Sequence, residues 1–294
     1  MNTLKKCPAC NSEEHKLFLT TKDYFLSHEN FNILTCQDCG LMFTNPRPLD
    51  SDLWKYYQSE EYISHSNTKK GLVSSLYQAV RSYTLSSKEK LLNSFVSRGT
   101  LLDYGCGSGH FLSYCQTKGW SVSGVEPDDG ARAIASQTVR KVYKTKEDLL
   151  ASEPNTRFAA ISLWHVLEHL PDLNSVISFL NSSLERDGAL FVALPNPQSY
   201  DAKKYKGHWA AFDLPRHLYH FEKGSLCKLF EKHGFVLIET KPMYFDSFYV
   251  SMLSEKYLHG KTRFIPAMIR GLISNFKAVR SGQYSSLIYV FRRA

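Results

Sequence analysis

Three glycines at alternate positions follow an apolar stretch about a third of the way along the chain. Gly105, Gly107 and Gly109 follow Asp103 and precede a segment with helical spacing. Glycine lets a backbone turn tightly and approach a ligand closely, and the amides of a following helix point into the same space. An acid, Glu126, ends the next apolar segment about twenty residues after the first glycine, which suits hydrogen bonding to ribose hydroxyls. The pattern predicts a site for a nucleotide-like cofactor.

Four cysteines near the start of the chain have the spacing of metal ligands. Cys7 and Cys10 form one Cys-x-x-Cys pair, and Cys36 and Cys39 form another. Two such pairs can complete a tetrahedral Zn²⁺ site, which supplies folding energy to a small module. A redox pair is expected inside a βαβ unit, and a nucleic-acid-binding finger needs a basic face. Residues 1–45 carry four Lys or Arg against five acids, so we expect structural zinc and no nucleic-acid partner.

Histidines gather at two places beyond predicted strands. The run HVLEHLPD begins at His165, and a later polar and aromatic loop carries His217 and His220. A histidine can act as a general base because its unperturbed pKa lies near the operating pH, although either loop histidine could instead hold loop backbone groups. We identify His217 as the first candidate base and His220 as the second. The HxxEH spacing of His165 to His169 also occurs in zinc proteases, but a further ligand is not evident.

Two motifs carry a family resemblance. DYGCGSG at 103–109 and GVEP at 124–127 resemble motifs I and II of class I S-adenosylmethionine (SAM) methyltransferases. The resemblance implies that SAM is the cofactor, bound by the glycine turn and by an acid that holds its ribose. Carried over to this chain, the cofactor-binding residues are Asp103, Gly105, Gly107, Gly109 and Glu126.

The histidine-rich run extends this resemblance. HVLEHLPD is similar to the segment after the fourth strand of ubiquinone-type O-methyltransferases and sugar methyltransferases. There the first position borders the SAM sulfonium and the substrate, which implies a cofactor-binding and catalytic role for His165. Ubiquinone-type enzymes have ExxEH at this place and hold a cation with it. His165 departs from that pattern, so a divalent ion at His165 to His169 stays open.

The later loop is similar to sugar C-methyltransferases that carry an N-terminal four-cysteine module. Their EHxxxF pattern corresponds to Arg216, His217 and Phe221 here, so arginine replaces the glutamate. Because removing a proton from carbon is demanding, loss of that carboxylate favours O-methylation over C-methylation. Arg216 is then expected to bind a phosphate or carboxylate of the substrate. Those relatives also carry a larger C-terminal domain.

Short apolar segments alternate with helical ones over the second half of the chain, as a parallel sheet requires. A helix is expected over 171–184, ending at a turn over 186–188. The last strand is expected to form an antiparallel edge. We predict an α/β fold with a Rossmann-like, doubly wound, seven-stranded sheet and an antiparallel edge strand, preceded by a small zinc ribbon. The expected strands lie near 100–103, 121–125, 141–143, 159–163, 189–194, 236–241 and 287–292.

The chain divides into three predicted parts. Residues 1–45 form the zinc-ribbon module, 46–98 a helical linker or lid, and 99–294 the methyltransferase domain with a basic helical insertion at about 246–285. Most aromatic residues of the linker are expected to pack on the main domain, with one tyrosine facing substrate. Tyr57 and, after a predicted strand, Asn196 are assigned to substrate binding. The aromatic stretch comprises Trp54, Tyr56, Tyr57, Tyr62 and His65.

Positive charge is concentrated at the C-terminal end of the sequence. Residues 241–294 hold nine Lys or Arg and two acids, a difference of +7 within a formal net charge of +8. Apolar residues over 264–276 recur at helical spacing between cations, so this helix either covers the sheet or lies on an anionic membrane. An apolar leader and a membrane-spanning run are not evident in the sequence. We expect a cytoplasmic protein, peripheral at a membrane surface if the helix binds one.

These patterns together predict an enzyme. We expect a SAM-dependent methyltransferase with a structural Zn²⁺ that O-methylates a small, lipid-linked or nucleotide-linked molecule, such as a glycan precursor, with a histidine base. One alternative is a sugar C-methyltransferase. Another is a non-catalytic SAM-binding or zinc interaction protein, which would bind SAM without turnover.

Overall fold

The computed structural model describes residues 1–57 and 72–294, so Tyr62 and His65 lie outside the described residues. Strands and helices are labelled in chain order. The strands are β1 (His15–Lys22), β2 (Asn30–Cys36), β3 (Met42–Thr44), β4 (Thr100–Tyr104), β5 (Ser121–Val125), β6 (Val142–Tyr143), β7 (Phe158–Trp164), β8 (Leu184–Pro195), β9 (Tyr219–His220), β10 (Phe235–Pro242) and β11 (Ser286–Arg293). The α-helices are α1 (Leu72–Phe95), α2 (His110–Thr117), α3 (Asp129–Ala135), α4 (Lys146–Ser152), α5 (Leu173–Ser183), α6 (Tyr200–Tyr205), α7 (Lys223–Lys232), α8 (Asp246–His259) and α9 (Phe264–Ser281). Short 3-10 helices cover Asp50–Tyr57, Leu167–His169, Lys206–His208 and Ala210–Phe212.

The larger sheet has seven strands in the order β10-β11-β8-β7-β4-β5-β6. The five strands from β8 to β6 are parallel. Strand β11 lies between β8 and β10, which is the last strand at that end of the sheet, and it runs antiparallel to both. Parallel neighbours need helical crossovers, which the alternating sequence supplies. The predicted Rossmann-like sheet with its antiparallel strand is confirmed. Its strand order leaves the carboxyl ends of β4, β5, β7 and β8 along one edge, where ligands bind in such folds.

The sheet is buried on both faces. Leu102, Ile161 and Val192 belong to one apolar cluster, whereas Leu101, Ala160 and Phe191 belong to another. Adjacent residues of a strand point to opposite faces, so the two clusters are the cores on either side of the sheet. This double burial explains why β7 reads FAAISLW without polar alternation.

One expected turn is wrong. Helix α5 begins after Asp172, whose carboxylate caps it by accepting from Ser175 N at 3.0 Å, and ends at Ser183. The turn expected over 186–188 is instead part of β8, which begins at Leu184. Pairing with β7 jumps from Phe158 with Leu184 to Ala160 with Ala189, so the extra residues form an irregularity within the ladder.

The smaller sheet joins the N-terminal module to the rest of the chain. Its order is β1-β2-β3-β9, all antiparallel, and the β1 and β2 hairpin agrees with the two strands of a ribbon. In the last pair Met42 lies opposite His220 and Phe43 opposite Tyr219. The predicted division into 1–45, 46–98 and 99–294 stays a prediction, and this sheet crosses its first boundary. Among the described helices, none has the length and hydropathy needed to span a bilayer.

Candidate active site

The glycine turn lies between β4 and α2 at the carboxyl edge of the sheet. All three glycines have left-handed backbone angles, with φ of 77° at Gly105, 53° at Gly107 and 74° at Gly109. A Cβ on Gly105 would lie 2.5 Å from Val166 Cγ2, and one on Gly109 would lie 2.8 Å from Ala135 Cβ. Apart from its neighbours in sequence, no described residue lies within 4 Å of the corresponding point on Gly107. Gly105 and Gly109 therefore allow close packing, while Gly107 borders open space in which a ligand fits.

Glu126 lies at the end of β5 and holds the turn. Its Oε2 accepts from Gly107 N at 2.8 Å, and its Oε1 accepts from Asp128 N at 2.9 Å. The side chain is buried, which raises the pKa of its carboxyl above the ordinary value, although the two amide hydrogen bonds oppose that shift. Carboxylate oxygens can accept further hydrogen bonds, so Glu126 can hold a diol next to the turn.

Beneath the turn, Asp103 and Lys88 provide buried charge. Asp103 Oδ1 accepts from Ser162 Oγ at 2.6 Å, and burial raises the pKa of Asp103 to about 7. The Lys88 ammonium lies 4.2 Å from the ring centroid of Trp164, and burial lowers its pKa against the opposing charges of Asp103 and Asp246. Sequence reasoning missed Lys88, because it lies in the polar run SSKEKLL, where nothing distinguishes it from the exposed Lys90.

His165 has a left-handed backbone, with φ of 58°, and lies between two carboxylates. Its Nε2 is 3.1 Å from Asp246 Oδ2, and its Nδ1 is 3.5 Å from Glu168 Oε1. Burial alone would lower the pKa of His165, but its hydrogen bond with Asp246 and the nearby Glu168 carboxylate raise it to about 9. The ring is therefore charged at neutral pH, so it suits electrostatic contact with a ligand better than proton abstraction.

Glu168, His169 and His217 form a compact cluster beside the site. One donor atom from each lies within 4.8 Å of the others, and the His169 and His217 ring centroids are 4.6 Å apart. Glu168 is 1% exposed, and neither of its oxygens has a hydrogen-bond partner among the described residues. A cavity of about 10 Å³, close to one water molecule in size, is lined by Glu168, His217 and His220. Burial would raise the pKa of the Glu168 carboxyl, but the neighbouring His165 and His169 lower it below the ordinary value, so the cluster offers a buried carboxylate that is suited to a cation.

The hydrogen bonds of His169 and His217 determine the tautomer of each ring. His217 Nδ1 lies 2.9 Å from Ala211 O, and His169 Nδ1 lies 3.1 Å from Arg216 O and 2.9 Å from Tyr57 Oη. A carbonyl oxygen only accepts, so each Nδ1 carries hydrogen and each Nε2 keeps its lone pair. The sequence placed Tyr57 at the substrate, and the structure places it against this cluster.

His217 and His220 are both buried as neutral rings. Burial, with the neighbouring His169, lowers the pKa of His217 to about 4, and burial with the neighbouring His217 lowers that of His220 to about 3. His220 Nε2 lies 3.5 Å from Thr44 Oγ1, and Thr44 Oγ1 donates to His217 O at 2.7 Å. The N-terminal module thus contacts both candidate bases.

These shifts predict acid sensitivity of the fold. Because the unfolded rings have a pKa near 6.5, the stability that the neutral rings contribute is complete above pH 6.5 and is lost as pH falls toward 4. We expect the free energy of unfolding to fall by about 1.4 kcal/mol per pH unit for each ring in this window. Denaturant unfolding at pH 7 and pH 5 should show a smaller difference for His220→Gln than for the unchanged chain. His28→Asn, at an exposed left-handed position, is the control, and equal differences for His220→Gln and the unchanged chain would contradict this account.

Arg216 is buried within the loop that also carries His217. Its Nε donates to both Asp213 oxygens at 3.0 Å, its Nη2 to Asp23 Oδ1 at 3.0 Å, and its Nη1 to Tyr56 O at 3.1 Å. The side chain is 2% exposed and packs over the Phe25 ring. Arg216 therefore joins three segments of the chain, and the expected clamp on a substrate anion has no accessible nitrogen to act through.

Asn196 is also occupied by the chain itself. Its Nδ2 donates to Gln283 Oε1 at 2.9 Å and to Tyr284 O at 3.0 Å, and its Oδ1 accepts from Gln198 N at 3.0 Å. These contacts connect the end of β8 to the start of β11. The direct substrate contact expected of Asn196 stays a prediction, and its amide is already hydrogen-bonded within the chain.

The four N-terminal cysteines lie together as the spacing predicts. All four sulfurs lie within 4.8 Å of one another, with Cys7 Sγ 3.6 Å from Cys39 Sγ and Cys10 Sγ 3.5 Å from Cys36 Sγ. A regular tetrahedron with Zn–S of about 2.3 Å has S–S edges of about 3.8 Å, so the sulfurs fit a zinc ion. Cys7 and Cys36 belong to the same core cluster as Phe230 of α7, so the module packs against the larger sheet.

Comparison with known proteins agrees with this architecture. The family model Methyltransf_23, a methyltransferase domain, matches residues 77–240. The C-methyltransferase NovU of Streptomyces niveus is 25% identical over 147 residues, covering 48% of this chain and 33% of NovU. A ubiquinone biosynthesis O-methyltransferase of Pseudomonas syringae pv. tomato is 29% identical over 132 residues, covering 42% of this chain and 56% of that enzyme. The chain thus matches about a third of the length of NovU and a little over half of the length of the ubiquinone enzyme.

A solved structure shows the same fold. A SAM-dependent methyltransferase from Archaeoglobus fulgidus aligns with a TM-score of 0.50 at 18% identity, covering 72% of this chain and 94% of that one. The strand order, the glycine turn and the match over more than half of the residues agree with one another. The chain belongs to the methyltransferase domain family.

Proposed function

We propose that the protein is a SAM-dependent methyltransferase acting on a small molecule. The observation that carries the proposal is the pairing of Glu126 with the Gly107 amide beside an open, left-handed glycine turn. This arrangement supplies a carboxylate for a ribose diol and a backbone that a ligand can approach. Lys88, near Asp103 and over Trp164, is placed to pair with the carboxylate of the cofactor's methionine portion.

The cofactor fits the charges around this turn. When bound, SAM supplies a methyl group on a sulfonium, and its leaving group is a neutral thioether. The chain must therefore align the acceptor and take its proton, because no proton has to reach the leaving group. Asp103 and Glu126 provide negative charge on the side where a sulfonium would bind.

Changing Glu126→Gln is expected to weaken SAM binding about 10- to 100-fold, since a hydrogen bond to a charged group contributes roughly 1.5–3 kcal/mol. Isothermal titration calorimetry of the zinc-loaded protein with SAM, and with its demethylated product, measures this directly. Glu147→Gln, exposed on α4, is the matched control and should leave the affinity unchanged. Absence of micromolar SAM binding by the unchanged protein would contradict the proposed function.

His217 is the proposed general base. Its Nδ1 is committed to Ala211 O, so the Nε2 lone pair is available, and the lowered pKa keeps the ring neutral at physiological pH. The buried Glu168 carboxylate would stabilise the imidazolium that forms when the acceptor proton is transferred. With an acceptor hydroxyl, this pair supports O-methylation.

C-methylation is the second candidate, and one observation favours it. The carboxylate that is missing at position 216 is supplied near His217 by Glu168 instead. A carboxylate and histidine pair could remove a proton from carbon, so the arginine at position 216 does not by itself disfavour C-methylation. Exchange of an acceptor carbon proton with solvent deuterium, dependent on His217, would identify C-methylation.

A divalent cation is the competing use of the same atoms. Glu168, His169 and His217 offer three ligands, and a bound cation would occupy the lone pair that a base needs. Mild chelation followed by metal analysis separates the two uses. Loss of a second metal per chain together with activity would support a cation, and activity at one zinc per chain would support the base.

The acceptor is proposed to be a small, lipid-linked or nucleotide-linked molecule such as a glycan precursor, at the cytoplasmic side of a membrane. The basic C-terminal region supports an acidic or membrane-borne acceptor. Incubation of small-molecule and lipid extracts with labelled SAM would identify which fraction receives the label. Label in protein or nucleic acid alone would contradict this acceptor class.

A further inference from the structure

Helix α9 is packed with its small residues inward. The side that contacts α8 and α6 carries small side chains, and Gly271 lies against Phe248, where a Cβ would be 2.6 Å from the Phe248 ring. Such residues let two helices approach closely. The buried positions are Ala267, Gly271, Ser274 and Ala278.

The opposite side of α9 carries large apolar residues that are exposed. Their side chains are between 51% and 75% exposed, whereas the apolar stripe of an ordinary surface helix faces the core. The α9 apolar face consists of Phe264, Ile265, Ile269, Leu272, Phe276 and Val279. A contiguous apolar patch on an exposed helix marks an interaction site. The sequence allowed this helix to cover the sheet with these residues, and the structure turns them away from it.

The charges beside the α9 apolar face indicate which kind of partner this face binds. Residues 256–294 contain eight Lys or Arg and no acid. Lys261, Arg263, Lys277 and Arg280 flank the apolar residues and are exposed. Two copies of this chain meeting through the face would oppose like charges with no acid from this region to pair with them. An anionic bilayer satisfies both the apolar residues and the cations.

We propose that α9 docks the protein on an anionic lipid bilayer, with its apolar face at the level of the acyl chains and its cations among the headgroups. An interfacial helix of this kind buries its apolar side by about 5–10 Å. The 18 residues of α9 lie along the surface and do not cross it.

Docking would also bring the candidate active site to the membrane. Asn275 of α9 donates to Tyr244 O at 2.9 Å, and Asp246, two residues later, contacts His165. Phe245 between them is 41% exposed and packs edge-on against Tyr83 of α1. This step rests on the proposed methyltransferase function, and it assigns the enzyme an acceptor that is held in the bilayer.

The test is co-sedimentation of the full-length, zinc-loaded protein with lipid vesicles. Vesicles of equimolar phosphatidylglycerol and phosphatidylcholine are compared with phosphatidylcholine alone, at about 50 mM and about 500 mM salt, because salt screens surface charge. The double variant Leu272→Ser and Phe276→Ser removes apolar area from the face. Leu17→Ser with Phe18→Ser, exposed on β1 in the N-terminal module, is the matched control.

We expect retention on anionic vesicles at low salt, weak retention on neutral vesicles, and at least about a tenfold weaker partition for the α9 double variant alone. Unchanged thermal unfolding and SAM affinity of that variant would show that the fold and cofactor site are intact. Failure of the unchanged protein to bind anionic vesicles would overturn the proposal, as would equal retention of the α9 variant. Dimerisation lost in the variant, without vesicle binding, would assign the face to a second copy. SAM titration of the same samples reports separately on the methyltransferase function.

Discussion

Replacing His217 by asparagine is expected to lower the methyl-transfer rate at saturating SAM about 100- to 10,000-fold, the usual contribution of a general base. Asparagine keeps a donor for Ala211 O but offers no lone pair where Nε2 stands. SAM affinity should stay within about twofold, because His217 lies outside the glycine turn and its acid. The measurement is label transfer from SAM to the fraction of the extract that accepts it.

The control is His28→Asn, which changes an exposed histidine in the turn between β1 and β2. It should retain full activity, since His28 is exposed and its left-handed backbone suits asparagine. A His217→Asn rate within tenfold of the unchanged protein would exclude His217 as the base. The rate of the unchanged protein should stay constant down to pH values below 6.5, because the pKa of His217 is lowered to about 4.

Removing the zinc that we propose for the four-cysteine cluster is expected to abolish activity, although none of these cysteines belongs to the glycine turn or to the loop that carries His217. Cys36→Ser should lower the zinc content below one ion per chain and the unfolding temperature by roughly 10 °C or more, since structural zinc contributes several kcal/mol to folding. The physical reason is the pairing of β3 with β9. If the module unfolds, Met42 leaves His220, and Thr44 no longer donates to His217 O.

Cys227→Ser is the matched control, because Cys227 is a partly buried cysteine outside the zinc cluster. Metal analysis, thermal unfolding and label transfer should all be unchanged in it. Full activity in zinc-free Cys36→Ser protein would show that the module does not support the catalytic loop. A normal unfolding temperature in that protein would show that the four cysteines do not form a structural site.

The parts of the fold that could be predicted from sequence depend on local patterns. The turn after Asp103 combines three glycines with flanking apolar and helical segments. The spacing of each Cys-x-x-Cys pair places two sulfurs within reach of one metal ion. Both features appear where they were expected. The strand at 121–125 was also predicted to the residue, because Gly119 and Glu126 mark its ends.

The parts that could not be predicted depend on contacts between distant residues. Arg216 looks like an anion clamp in sequence, yet its carboxylate partner Asp23 is 193 positions away. Strand β9 has only two residues, too few for any alternating pattern. Glu168 lies within the HVLEHLPD motif, but the sequence did not indicate that its carboxylate is buried beside His165 and His217. Over 186–188, the Arg-Asp-Gly sequence indicated a turn, whereas these residues form the irregular part of β8 between its pairings of Leu184 with Phe158 and of Ala189 with Ala160.

The buried ion pair between Arg216 and Asp23 bears on how such a protein can evolve. Recombination that exchanged the N-terminal module for another would leave the Arg216 guanidinium with one carboxylate fewer in an apolar interior. Breaking a buried pair in this way costs about 3–5 kcal/mol, a large fraction of the stability of a domain. The N-terminal module therefore cannot be exchanged for another without a loss of stability. We expect it to have evolved together with the loop that carries Arg216.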